Sequence, residues 1–212
     1  MLCAEKRITM DKNRKKVMSA FLIMLVIAVF AVTGYYVINK QITQKAQDEE
    51  SIPDTEAGKL LAKDLDVTYP KTPTEVVKLY WRFNQCMYND NMSDKDFEGL
   101  LKQLRKLYDQ EFLDKEENSW DNMLSSFKKD KKKYKTNKQM ISSYMVQDNN
   151  AVVYGKEDGK DCATLFTSTM VKKKTERMKL YEKFMCRKDS SGEWRILGWS
   201  NAAKEAKKYF DN

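Results

Sequence analysis

The stretch YPKTPTEVVKLYWRFNQCMYND, residues 69–90, carries the helix around which the rest of the chain is arranged. Thr72 is placed to cap it, Pro73 stands at the first helical position and Glu75 follows three residues after Thr72. That is a capping box with a proline where its missing N–H costs nothing. Val76, Leu79, Tyr80, Phe83 and Met87 then recur at helical spacing. Tyr80, Trp81, Phe83, Cys86, Met87 and Tyr88 crowd into one short span. An apolar stripe at this spacing reads first as core. Tyr and Trp also carry polar tips that need partners when buried, and that mixture lines ligand cavities.

Downstream, Phe97, Leu100, Leu101, Leu104, Leu107 and Tyr108 repeat at three and four and predict a second helix, capped by Ser93 or Asp94. A third, shorter helix is expected from about Ser119 through Trp120, Met123, Leu124 and Phe127, ending in lysines. Upstream, residues 39–71 read as a polar linker with a short helix using Leu60, Leu61 and Leu65. After Lys138 the apolar period becomes two. QMISSYMVQ and AVVYGKE read as strands separated by Asp148-Asn149-Asn150. CATLFTSTMVKKK and TERMKLYEKFMCRKD read as long strands, and DSSG (189–192) turns into EWRILGWS. A short basic helix or tail closes the chain at 201–212. Helices followed by a meander of antiparallel strands give an α+β domain over 72–200. Helices on one face of a long curved sheet make the nuclear-transport-factor-2-like (NTF2-like, also SnoaL-like) cone. A cystatin-like wrap is the alternative.

The N-terminal region differs in kind. Charged residues make up 33% of the chain, and its mean hydropathy is −0.71. Yet Val17 to Ile38 is a run of 22 residues without a charge. As a helix rising about 1.5 Å per residue it spans roughly 33 Å, the thickness of a bilayer core. Residues 1–16 hold six Lys and Arg against Glu5 and Asp11, which predicts a cytoplasmic N-terminus and an extracytoplasmic remainder. A cleaved signal peptide is the rival reading. Its apolar region is normally shorter and ends in small residues, where this run ends in Tyr35, Tyr36, Val37 and Ile38. Beyond residue 38 the balance is 33 basic against 29 acidic residues, too mild for a nucleic-acid binder. The expected partner is therefore a lipid bilayer through Val17 to Ile38. An envelope protein, an anionic lipid, a wall polymer and a second copy of the chain remain open as further partners.

Candidate chemistry is sparse. The chain has no His, which removes Ser-His-Asp and Cys-His arrangements and the commonest metal ligand. No Gly-rich phosphate loop and no CxxC occurs, so no cofactor or metal is expected. Cys86, Cys162 and Cys186 read as buried thiols, with one internal disulfide as the alternative. In RMKLYEKFMCR, Met178, Leu180, Glu182, Phe184 and Cys186 share one face, which sets a carboxylate inside an apolar row. If helices cover that face, burial raises its pKa unless a partner stands near; pairing with a cross-strand Lys is the plainer reading. The candidate pocket-lining residues are Tyr80, Phe83, Tyr144, Glu182 and Phe184. A second candidate surface is the lysine run 128–138. There Lys128, Lys129, Lys131, Lys132, Lys133 and Lys135 either meet an anionic surface or form a solvated helix end.

Tyr69, Pro70, Thr72, Pro73, Glu75, Val76, Val77, Leu79 and Tyr80, with RKLYDQEFL (105–113) and RKDSSGEWRILGWS (187–200), carry a resemblance. They resemble an uncharacterised family of single-pass, membrane-anchored proteins from Gram-positive anaerobic bacteria. The family pattern tends to have Arg after the second Pro, where this chain has Thr74. The resemblance brings no activity. The layout of one span and one outer domain supports a non-enzymatic binding or interaction module. The same layout resembles the VirB8-type scaffold of conjugation and secretion machines. An enzyme using the Glu182 carboxylate with a Tyr is a third reading.

Overall fold

The computed structural model describes residues 55–211. The basic tail and the apolar run at Val17–Ile38 lie outside them. Among the described residues no helix is long and apolar enough to cross a membrane. The elements in chain order are α1 (Glu56–Leu61), α2 (Pro73–Asn89), α3 (Asp94–Arg105), α4 (Gln110–Leu113), α5 (Trp120–Asn137), β1 (Gln139–Val146), β2 (Val153–Glu157), β3 (Lys160–Lys173), β4 (Glu176–Lys188), β5 (Trp194–Asn201) and α6 (Ala203–Phe210). The result is α+β, a curved, open antiparallel sheet with several helices.

Helix starts follow the local chemistry. The Thr72 hydroxyl accepts from Glu75 N at 3.2 Å, and Glu75 Oε2 accepts from Thr72 N at 3.2 Å. Ser93, rather than Asp94, caps α3 by accepting from Asp96 N. Two features differ from expectation. The third long helix, α5, does not stop at the lysines but runs 18 residues to Asn137. Lys is a good helix former, and Phe127 and Tyr134 of α5 both stack on Tyr88 of α2. Lys138 at φ 51 then ends the helix. In addition, Leu60 and Leu65 are buried in the main core. The short helix expected around Leu60, Leu61 and Leu65 thus forms at Glu56–Leu61, and this segment packs into the main core some residues before 72 rather than lying in a linker.

The expected antiparallel meander runs from β2 through β5 and is corrected at β1. β1 and β2 do not pair with each other. Both lie along one edge of β3, β1 against residues 167–173 and β2 against 160–164. At 14 residues, β3 is long enough to take both. Gln147 stitches the break, donating N–H to the Phe166 carbonyl and accepting from Phe166 N through its side chain. The sheet order is β1-β3-β4-β5 with β2 beside β3.

Helix α2 lays its apolar stripe on one sheet face, against β1, β3 and β5, while α3 packs on α1 and α2, and α5 on α2 and β1. Phe83, Phe97, Leu100, Leu104, Leu165 and Phe184 are fully enclosed there. Side chains of α2 pin β1 at both ends. The Thr74 hydroxyl donates to the Gln147 carbonyl at 3.1 Å. Asn89 donates to the Ile141 carbonyl and accepts from its N–H, beside the irregularity in β1 between Ile141 and Ser143. α6 covers the opposite face through Phe166, Tyr181, Ala202 and Ala206.

Candidate functional site

Alternation along β4 puts Leu180, Glu182, Phe184 and Cys186 on the helix-covered face, and Phe184 and Cys186 are fully buried there. Glu182 is the charged member of that row. Its cross-strand neighbours are Thr167 on β3 and Asn201 on β5, so no lysine stands directly opposite. Two residues along β3 on the same face is Thr169, opposite Leu180 and, on the other side, Tyr144 of β1. Thr167 and Thr169 are buried.

These groups share an unusual property. Among the described residues, no group hydrogen bonds to Glu182 Oε2, Thr167 Oγ1, Thr169 Oγ1 or Trp81 Nε1, although all four atoms are sealed from the surface. Buried polar atoms are normally paired, because leaving one unpaired costs about 1–3 kcal/mol. Four in one region of one face mark a polar patch that the fold itself does not complete.

The roof over this patch is aromatic. The Trp81 indole stacks on Tyr144 with ring centres 6.2 Å apart and meets Phe184 edge-on at 6.5 Å. It thus bridges from β1 to β4 across the two threonines. Tyr80 packs edge-on against Trp81 at 5.3 Å and Phe184 at 5.2 Å. Trp199 stacks on Phe184 at 5.9 Å and is 38% exposed. Glu182 itself is only partly buried, so the rest of its side chain reaches solvent beside the sealed atoms.

Electrostatics follow from that setting. Burial alone pushes the Glu182 carboxyl up to about 7, with no cation near enough to oppose it. Burial likewise raises the hydroxyls of Tyr80 and Tyr134, and the Glu182 charge adds to both shifts. Both phenols therefore stay in their neutral form.

Of the five residues predicted to line a pocket, Tyr80, Tyr144, Glu182 and Phe184 fall around this patch. Phe83 instead lies in the fully enclosed core and makes none of the ring contacts described above. Thr167, Thr169, Tyr134 and Trp199 belong to the site and escape the sequence reading, which weighs Trp81 among the crowded aromatics of α2 without naming it as a pocket residue. The two threonines carry a signal in hindsight: they stand at the same alternation as Leu165 and Val171 in CATLFTSTMV. The lysine run divides. Lys128 pairs with Glu98 at 2.8 Å, and Lys131 lies 4.8 Å over the Phe97 ring, where burial lowers its pKa. Lys129, Lys132, Lys133 and Lys135 are exposed.

Two neighbouring features are structural. Arg187, on the opposite face of β4, reaches Asp109 through Nε at 3.1 Å and Nη2 at 2.5 Å, and Glu111 through Nη1 at 2.9 Å. This ties the start of α4 to the sheet. Among the described residues the three cysteines, Cys86, Cys162 and Cys186, are free thiols. Cys162 pairs in register with Arg187 and Cys186 with Ala163, which sets the two sulfurs on opposite faces. A separate open groove of about 1100 Å³ follows the β1 edge past Leu79, Arg82, Tyr144 and Gln147, and Glu182 does not line it. Among the described residues no three His, Cys, Asp or Glu side chains gather to hold a metal.

The chain belongs to the family described as Domain of unknown function (DUF6715), whose model matches residues 10–199. The family description carries no catalytic assignment. No curated protein matches the chain.

Proposed function

We propose that this member of the family is a membrane-tethered binding module of the outer cell face. Its NTF2-like domain takes a small ligand against Glu182. The observation that carries the reading is the set of four sealed, unpaired polar atoms at Glu182, Thr167, Thr169 and Trp81 on the helix-covered face. A ligand that completes those hydrogen bonds gains their full value, since the protein has already met the cost of burying them. The anchor rests on the 22 uncharged residues at Val17–Ile38 and the basic flank before them.

The full chain in detergent, labelled at the indole nitrogens, tests this. The chain has four Trp, and a Trp81→Phe variant assigns the signal of interest. Cationic, neutral and anionic small molecules are added in turn. At least one class shifts the Trp81 indole N–H, and Glu182→Gln changes its affinity. If no class moves that signal, the binding reading fails.

A second reading, as a scaffold subunit in an envelope assembly, has its own observation. Among the described residues the outer edge of β2 is unpaired, with Val153 and Tyr154 both more than half exposed. An open edge of this kind is a template for strand addition. Crosslinking through a cysteine placed at Val153 distinguishes it: adducts at a defined partner support the scaffold, and none count against it.

A further inference from the structure

We infer that the Glu182 site takes a small organic ammonium ion that also carries an oxygen acceptor. This rests on the binding reading above and names the ligand class.

The first argument is charge. Burial is the only influence that moves Glu182, and no Lys or Arg neutralises it. The groups that face it are neutral on every packed element. They are Tyr80 from α2, Tyr134 from α5, Thr167 from β3 and Asn201 from β5. The nearby lysines are engaged elsewhere. Lys179, two positions from Tyr181 on the far face, pairs with Asp211, and Lys183 pairs with Glu205. An ionised carboxylate half out of water and lacking a counter-charge is completed best by a cation.

The second argument is the surrounding surface. Trp81, Tyr80 and Phe184 pack on one another beside the carboxylate row with ring centres 5.2–6.5 Å apart, and Trp199, stacked on Phe184 and 38% exposed, is the ring of this group that meets solvent. Ring faces attract cations, and most strongly those that shed water easily, as alkylated ammonium ions do. An inorganic cation would need several oxygen ligands, and only one carboxylate is present here. A neutral sugar or alcohol would use the threonines and leave the carboxylate unneutralised.

The third argument is the donor. Trp81 Nε1–H is buried and has no acceptor among the described residues. An indole N–H can only donate, so the ligand must bring an oxygen acceptor to it. Thr167, opposite Glu182, and Thr169, opposite the Tyr144 on which Trp81 stacks, can each donate or accept. The ligand is thus a short amphoteric chain, ammonium at Glu182 and oxygen toward Trp81.

Choline and its neutral isostere 3,3-dimethylbutan-1-ol are the deciding probes, because they differ only in the charged centre. The full chain in detergent is titrated with each to about 50 mM while the Trp81 indole N–H is followed. Choline is expected to bind about tenfold more tightly than the isostere at pH 8. That advantage should fade toward pH 5.5, where Glu182 takes up a proton. Glu182→Gln should level the two probes at both pH values. Equal or better binding of the isostere to the wild-type chain overturns the ammonium assignment while leaving a binding site in place. No response to choline overturns the assignment as well. If only the neutral and anionic probes of the broader screen respond, the ligand class is wrong and the site is right. If none responds, both fall. The wild-type comparison does not depend on any variant folding.

Discussion

Glu182 of β4 stands directly across the sheet from Thr167 of β3, and each carries a sealed oxygen that no described residue hydrogen bonds. Sheets place side chains by a strict period of two, so both residues are committed to the helix-covered face. The polar patch is therefore built into the register of the two longest strands and cannot turn away without moving the whole hairpin.

The pH dependence of stability follows from this burial. Glu182 has its pKa raised from 4.5 in the open chain to about 7 in the folded protein. Between those values the folded state holds a proton that the unfolded state has released, so stability falls as pH rises from about 4.5 to 7. Below 4.5 both states are protonated and the loss is absent; above 7 it is complete. The loss at pH 8 is on the order of 3 kcal/mol. Glu182→Gln should remove it, so urea unfolding of wild type and variant should converge at pH 4 and separate by pH 8, with the variant more stable. Parallel curves at all pH values would mean the carboxyl is solvated.

Thr74 has a structural role of its own. It is 4% exposed, and its hydroxyl holds the Gln147 carbonyl where β1 gives way to the step before β2. Thr74→Val should lower stability by about 1–2 kcal/mol, by leaving a buried carbonyl unpaired. Thr74→Arg should cost more, since the charged head lacks a buried partner there. Chemical denaturation reads both, and an Arg variant as stable as wild type would show that the contact is dispensable.

The buried ion pair predicts an asymmetry. Asp109→Ala strips Arg187 of two hydrogen bonds and removes the α4 cap that accepts from Glu111 N at 2.9 Å. The expected cost is about 3 kcal/mol or more. Glu111 contacts the same guanidinium, but its side chain is 62% exposed. Glu111→Ala should cost under about 1 kcal/mol. Equal losses would contradict the burial difference between the two carboxylates.

Thiol chemistry supplies an independent check. Cys86 is pushed up to about 12, by burial and by the Asp90 carboxylate that its Sγ meets at 3.4 Å. Cys162 and Cys186 are also raised by burial. All three should resist alkylation in the folded protein and react fully in denaturant without reductant, as read by peptide mass. A pair that reacts only after reduction would reveal a disulfide.

The helices were legible because their signals are local. The capping box at Thr72 and Glu75 and the spacing of Val76, Tyr80, Phe83 and Met87 lie within a few turns of one another. The α+β class followed from the change of period after Lys138. The shared pairing of β1 and β2 along β3 was not legible, because it depends on the length of β3 and on Gln147 reaching across to Phe166, a contact between strands. The site was half legible for the same reason. Glu182 shows in its own strand as a charge among apolar alternates. Thr167, Thr169 and Trp81 become its neighbours only through β3–β4 register and the way α2 lies on the sheet.

The most direct test of the account is a side-chain carbon titration of Glu182 in the full chain, assigned with Glu182→Gln, in the presence and absence of choline. The account predicts a midpoint near 7 in the free protein, moving downward when the cation binds and favours the ionised form. A midpoint in the ordinary carboxylate range, unmoved by choline, would contradict it.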